Sequence, residues 1–284
     1  MSHQKIAVVT DSSAYIPPAA LQGLEVPVIP LWLIWGEERF RDGVDIDPPT
    51  FYRRLRDSKD FPTTSQPSAG EFEHFFREVG SGVDAVVAVH ISSQISGTVP
   101  NAQAALAQLP DLTIKVIDSL TTSMSLSLVV IATARAAAAG KSFDEVVAVA
   151  EDMRDRVHIL FTVDTLEYLH RGGRIGGAKR LLGTALNIKP LLHLEGGRVE
   201  PLTSVRTKRK ALARMLDEAE ERLGGKPMAA AGVIDVDAVE EADEVAELVK
   251  ERFDVSPIYR TTVSPCIGAH VGPGTVGLGF YAER

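Results

Sequence analysis

The segment that most limits the possible folds is residues 85–98, AVVAVHISSQISGT. An unbroken apolar run, residues 85–89, reads as a strand. A loop crowded with small hydroxyls follows (Ser92, Ser93, Ser96 and Thr98, with Gly97), and then an Ala-rich helical pattern over residues 101–109. Strand, polar loop and helix form the repeating unit of an α/β sheet, and in open sheets of this kind ligands bind beyond the carboxyl ends of the strands. The following helix offers backbone N–H groups and a positive dipole end to an anion. The loop therefore reads as the holder of a negatively charged head group. The plainer reading is an ordinary capped loop, since Ser and Thr are common N-caps.

The same alternation runs through the first half. Residues 5–9 predict a strand that ends in Thr10-Asp11-Ser12-Ser13, followed by a short helix opened by Pro17 and Pro18. Residues 26–34 read as extended, with Gly36-Glu37 as a turn. Asp42, Asp45 and Asp47 resemble a cation loop superficially but lack the glycine and terminal glutamate of an EF-hand. Asp47 is better placed to cap a helix starting at Pro48-Pro49. Residues 61–68, FPTTSQPS, form a second hydroxyl-rich loop, stiffened by Pro62 and Pro67. Ser68 and Glu71 have the spacing of a capping box for the next helix, which leaves Thr63, Thr64 and Ser65 free. Residues 112–117 predict a strand ending in Asp118-Ser119, with helices following from Met124 and from Ser142. Strands alternating with helices argue for a mainly parallel sheet covered on both faces. Three polar strand ends converging on one rim would suit a ligand site.

The second half changes character. Residues 158–163 predict a strand and residues 165–170 a helical turn. RGGRIGG at 171–177 follows a helix and lacks the Lys-Ser/Thr ending of a nucleotide P-loop, so that reading is rejected; Arg174 is kept as a reader of carboxylate or phosphate. Gly196-Gly197 between two extended runs signals a hairpin. A long amphipathic helix begins at Thr207 with Lys208, Arg209 and Lys210 in its first turn, where cations oppose the helix dipole. Either they serve an acidic partner, with Arg206 as a fourth basic group, or they are a solvated helix start. After a strand at 229–236 and an acidic helix at 238–253, residues 258–263 and 276–281 read as a closing pair of strands. Their tight connection carries His270 among glycines. The expected fold is α/β with two domains: residues 1–156 with a mainly parallel sheet and helices on both faces, and residues 157–284 an α+β domain with a mainly antiparallel sheet. The ligand cleft is expected between them.

Charge and cysteine use narrow the function. A net charge of −8 argues against general nucleic-acid binding. Cys266 is the only cysteine, so no internal disulfide points to an oxidising compartment. The amino terminus enters a strand pattern without a secretory apolar region. The apolar helix over 124–139 is too short and too polar to span a bilayer. A cytoplasmic protein with no integral membrane segment is expected. The histidines form no metal-binding cluster, so neither metal nor cofactor is expected.

Segments spread along nearly the whole chain resemble the DegV family of fatty-acid-binding proteins, which includes the FakB subunits of bacterial fatty acid kinase. They are VVTDSSAYIP, RDGVDIDPPTFY, PTTSQPSAGEF, ISSQISGTVPNA, VIDSLTTSMSLSL, DTLEYLHRGGRIGG, IKPLLHLEGGRVEPLTSVRTKRKA and IGAHVGPGTVGLGF, in that order. The resemblance implies a non-enzymatic lipid-binding protein that buries one long-chain fatty acid, such as palmitate, between two domains. It would present the acid to an ATP-binding kinase subunit for acyl-phosphate formation. Carried over by position, Thr64 and Ser96 would bind the carboxylate, Arg174 and His270 would lie near it, and Arg206 would meet the kinase. The residues alone indicate only a hydroxyl-rich anion site; the acyl chain comes from the resemblance. The competing expectation is a serine esterase with Ser96 as nucleophile, His270 as base and Asp11 or Asp118 as orienter. Residues 94–97 do not form the G-x-S-x-G elbow that such hydrolases use.

Overall fold

The computed structural model describes residues 4–58, 60–183 and 188–284. In the first part of the chain, β1 (Ile6–Asp11), β2 (Val28–Ile29), β6 (Ala85–His90) and β7 (Ile114–Asp118) form a four-stranded sheet in the order β2-β1-β6-β7, parallel throughout. The apolar run of β6 is buried at every position because both faces of the sheet are covered. Val87 and Val89 pack towards α5 (Ser123–Ala138) and α6 (Phe143–Arg156). Val86 and Ala88 point the other way, towards α3 (Ala69–Gly80) and α4 (Thr98–Ala105). This is the two-residue period of a strand expressed in packing. The first two helices, α1 (Pro18–Leu21) and α2 (Pro48–Asp57), each begin with proline, and Asp47 caps α2 by accepting from Thr50 N. Ser68 and Glu71 make the expected capping box on α3.

A small antiparallel sheet, in the order β4-β3-β5, joins β3 (Trp32–Trp35), β4 (Glu38–Arg41) and β5 (Thr63–Ser65). The stiff loop expected over 61–68 thus contains a short strand. Pro62 and Pro67 disfavour helix on either side, and β3 supplies an edge on which Thr64 pairs with Leu33.

The second part forms a six-stranded sheet in the order β10-β9-β8-β13-β11-β12. Its strands are β8 (His158–Thr162), β9 (Lys189–Glu195), β10 (Arg198–Val205), β11 (Met228–Val236), β12 (Ile258–Thr262) and β13 (Thr275–Ala282). All neighbours are antiparallel except β11 and β12. The expected closing pair is therefore not a pair. β13 inserts between β8 and β11, and β12 takes the far edge. The connection between them is not a bare turn either. It holds α10 (Pro265–Val271), capped by Ser264, and His270 rides on this helix. A short α7 (Glu167–Arg171) leads into the glycine-rich segment, and α8 (Lys208–Leu223) and α9 (Val239–Phe253) cover one face of the sheet.

The other face of this sheet meets α5, which places that helix between the two sheets. Leu126, Val129 and Val130 pack with the parallel sheet, and Met124, Leu128 and Ile131 with the antiparallel one. Twelve of its sixteen residues are buried, and its polar groups are satisfied: Ser125 donates to His158 O at 2.6 Å and Thr133 to Val129 O at 2.7 Å. No helix among the described residues is long and apolar enough to cross a membrane.

Candidate ligand-binding cavity

A partly open cavity lined by residues from both parts of the chain holds about 880 Å³ of atom-free space, open solvent at its mouth included. Its lining is mostly apolar. β8 contributes Ile159 and Phe161, β11 Ile234, and α10 Cys266, Ile267 and Val271; Leu31 and Ile91 come from the first part. Its polar lining includes Thr64, Ser65, Gln66, Ser96, Arg174 and His270, which gather at one place, and also Thr122, Ser123 and Thr275. The structure thus brings together the four residues expected to bind a ligand, Thr64, Ser96, Arg174 and His270, from four separate segments.

Each is positioned by its own element. Thr64 is fixed by its register on β5, and its Oγ1 lies 2.7 Å from His270 Nε2. Ser96 sits in the loop that ends at α4; its Oγ is 2.8 Å from Thr98 Oγ1 and accepts from Thr98 N at 3.3 Å. The helix begins three residues earlier than the Ala-rich pattern predicts, because the Ser96 hydroxyl supports its first turn. Arg174 donates from Nε to Ile95 O at 3.0 Å and from Nη1 to Gly172 O at 2.8 Å. Two carbonyls hold the guanidinium, yet among the described residues no carboxylate lies within ion-pairing distance of it. A half-buried cation without a counter-ion is costly unless an anion joins it. His270 Nδ1 is buried without a partner among the described residues. Burial, followed by the nearby Arg174 charge, lowers the His270 pKa to about 4, so the ring is neutral at pH 7.

The esterase arrangement is not assembled. His270 bonds Thr64, not Ser96, and no carboxylate orients its Nδ1. Asp11 is fully buried and occupied by Ser13, His90 and the Ile91 N–H; Asp118 holds the N–H groups of Ser93 and Leu120. The polar strand ends thus converge on one rim, but their carboxylates tie loops together and do not line the cavity.

Outside the cavity, Arg206 is exposed and forms no ion pair among the described residues. Lys208 is neither free for a partner nor solvated: it turns inward, bonding Asp164 at 3.3 Å and the Gly274 carbonyl. Sequence reasoning missed the apolar walls on β8, β11 and α10. Their only signal was ordinary strand alternation, which does not say which apolar face borders a void. Among the described residues no group of three or more His, Cys, Asp or Glu is placed to hold a metal ion.

A mostly apolar cavity with polar groups gathered at one place can enclose an amphiphile. With a parallel sheet on one side and a mainly antiparallel sheet on the other, fold and cavity define an α/β protein of two sheet-based parts with a cavity between them. The chain belongs to the DegV family, described as an uncharacterised protein family, whose model matches residues 5–283. It is 38% identical over 275 residues to a DegV domain-containing protein of Streptomyces coelicolor, covering 96% of this chain and 97% of that one. It is 34% identical over 275 residues to protein DegV of Bacillus subtilis, covering 96% and 98%. Among solved structures, a DegV family protein from Thermus thermophilus described as binding fatty acid superimposes with a TM-score of 0.90 at 34% identity, covering 98% of this chain and 100% of that one. The B. subtilis DegV structure, described as a fatty acid binding protein, gives 0.90 at 32% identity and 99% and 100% coverage. A stearic acid-binding protein from Eubacterium ventriosum gives 0.87 at 28% identity, covering 98% of each chain.

Proposed function

We propose that this protein binds one long-chain fatty acid, with the acyl chain in the cavity and the carboxylate at its polar cluster, and presents that carboxylate to a partner kinase. The observation that carries the reading is the Arg174 guanidinium, held by two carbonyls and lacking a carboxylate partner among the described residues, in the polar cluster of a mostly apolar cavity. Its relatives described as fatty-acid-binding support the ligand class. On this reading the chain divides near residue 157, and the ligand lies between residues 1–156 and 157–284.

The energetics are consistent. A palmitate-length chain buries about fifteen methylene-class groups, worth up to ~12 kcal/mol. Holding the carboxylate out of bulk water requires hydrogen bonds to it. The Thr64 and Ser96 hydroxyls supply donors, and a neutral His270 that donates to Thr64 Oγ1 leaves the Thr64 proton free for the ligand. Arg174 supplies charge. The protein contributes binding and orientation, whereas ATP and metal would come from the partner, for which exposed Arg206 is the proposed contact. Equilibrium binding of a long-chain acid, compared with the alcohol of equal length, tests the reading. Clear preference for the acid is expected; equal affinity would remove the carboxylate site.

A further inference from the structure

The antiparallel sheet carries an unusual lack of side chains on the face that borders the cavity. Cross-strand register aligns Phe161, Gly277 and Ile234 in one row, and Ile159, Gly279 and Gly232 in the next. Residues paired across a sheet point to the same face. Half of these six positions are therefore glycine, and the central strand β13 has bare backbone at both rows. The result is a trough along the sheet, flanked by Ile159 and Phe161 on one side and Ile234 on the other. Those three flanking residues all line the cavity, so the trough adjoins the cavity wall, and the Ile234 side chain leans over Gly277.

The trough does not stay open. A methyl group added at Gly232 would overlap the Cγ, Sδ and Cε atoms of Met124, and one added at Gly279 would press on Met124 Cγ at 3.0 Å. The Met124 side chain thus covers both second-row glycines, with Cγ, Sδ and Cε over Gly232 and Cβ and Cγ beside Gly279, and fills the trough behind the cavity wall. It is fully buried. Its backbone is fixed at the start of α5, next to Thr122 and Ser123, which themselves line the cavity. The side chain is unbranched and turns about three bonds, so it can withdraw or fold without moving the helix.

We propose that Met124 is the adjustable end stop of the acyl chamber and sets the length of chain the protein accepts. The glycines of β13 and β11 make the space; Met124 decides how much of it the ligand receives. This inference rests on the fatty-acid reading above. Phe161 and Ile159 cannot play the same part, because they wall the trough along its side, whereas Met124 lies across it.

The test offers the purified protein an equimolar ladder of saturated even-chain acids from myristate to lignocerate and ranks the bound species by native mass spectrometry. Met124→Ala removes the atoms that fill the trough and is expected to move the preferred acid longer by about two to four carbons, matching the reach of the lost side chain. Met124→Phe is expected to move it shorter. Because truncation of a buried methionine can compromise folding, Met124→Val serves as the milder variant and is expected to move the preference in the same direction as alanine. An unchanged ranking in a folded, loaded Met124→Ala or Met124→Val protein overturns the inference and leaves the fatty-acid reading intact. Failure of the wild-type protein to bind any member of the ladder overturns both.

Discussion

Thr64 Oγ1 and His270 Nε2 lie 2.7 Å apart although 206 residues separate them in the chain. The contact joins β5 of the small sheet to α10 of the second part, in the polar cluster of the cavity lining. Each group gains from the other: the strand fixes the hydroxyl, and the hydroxyl satisfies one nitrogen of a ring that burial keeps neutral.

Loss of either hydroxyl should weaken ligand binding, over and above the stability lost when His270 Nε2 or the first turn of α4 gives up its hydrogen bond. Thr64→Ala and Ser96→Ala each remove a donor to a carboxylate, worth about 1.5–3 kcal/mol. Isothermal titration with a long-chain acid should show roughly a tenfold or greater loss for each. An unchanged affinity in either variant would exclude that hydroxyl from the head-group site.

Arg174 should govern the choice between acid and alcohol. Its guanidinium has no carboxylate to lose among the described residues, so Arg174→Gln should change the melting temperature of the ligand-free protein little while removing most of the preference for acid. A retained preference would show that the hydroxyls alone recognise the charge.

The pH response of the ligand-free protein has a defined sign at His270. Its folded pKa, about 4, lies below the ordinary value of 6.5. Between these values the unfolded chain binds the proton and the folded one does not, so stability falls as pH drops through that window and is independent of this group above it. His158, also held at about 4, acts in the same direction, whereas Asp42, raised by burial to about 6, acts in the opposite one. The His270 share is therefore read as a difference: His270→Asn should flatten the fall between pH 6.5 and 4 in denaturant titrations. An identical slope in both proteins would contradict the assignment.

Much of this was legible in the chain. The apolar run of β6, the Ser68–Glu71 capping box and the Gly196-Gly197 hairpin all act locally, so each announces itself. The two hydroxyl-rich loops, Arg174 and His270 stood out because small hydroxyls and cations lay in glycine- and proline-rich segments, whereas the choice of Thr64 and Ser96 within those loops came from the family resemblance. Two features were not legible. α10 is seven residues long and begins in a Ser-Pro-Cys segment among glycines, so tertiary packing rather than propensity forms it. The insertion of β13 between β8 and β11 depends on pairings between residues 39 or more positions apart, which no local pattern encodes.

On the proposed reading, Arg206 serves partner recognition and not ligand binding. It is exposed, outside the cavity, and unpaired among the described residues. Arg206→Ala should leave fatty acid affinity unchanged while slowing acyl-phosphate formation when a fatty acid kinase subunit and ATP are supplied. Equal loss of both would assign Arg206 a structural role.

The most direct test is native mass spectrometry of the protein as purified, set beside a folded Thr64→Ala/Ser96→Ala double variant. The account predicts an adduct of long-chain fatty acid mass on the wild-type protein that weakens or disappears in the variant. Absence of any adduct from both, with no uptake of added fatty acid, would contradict it.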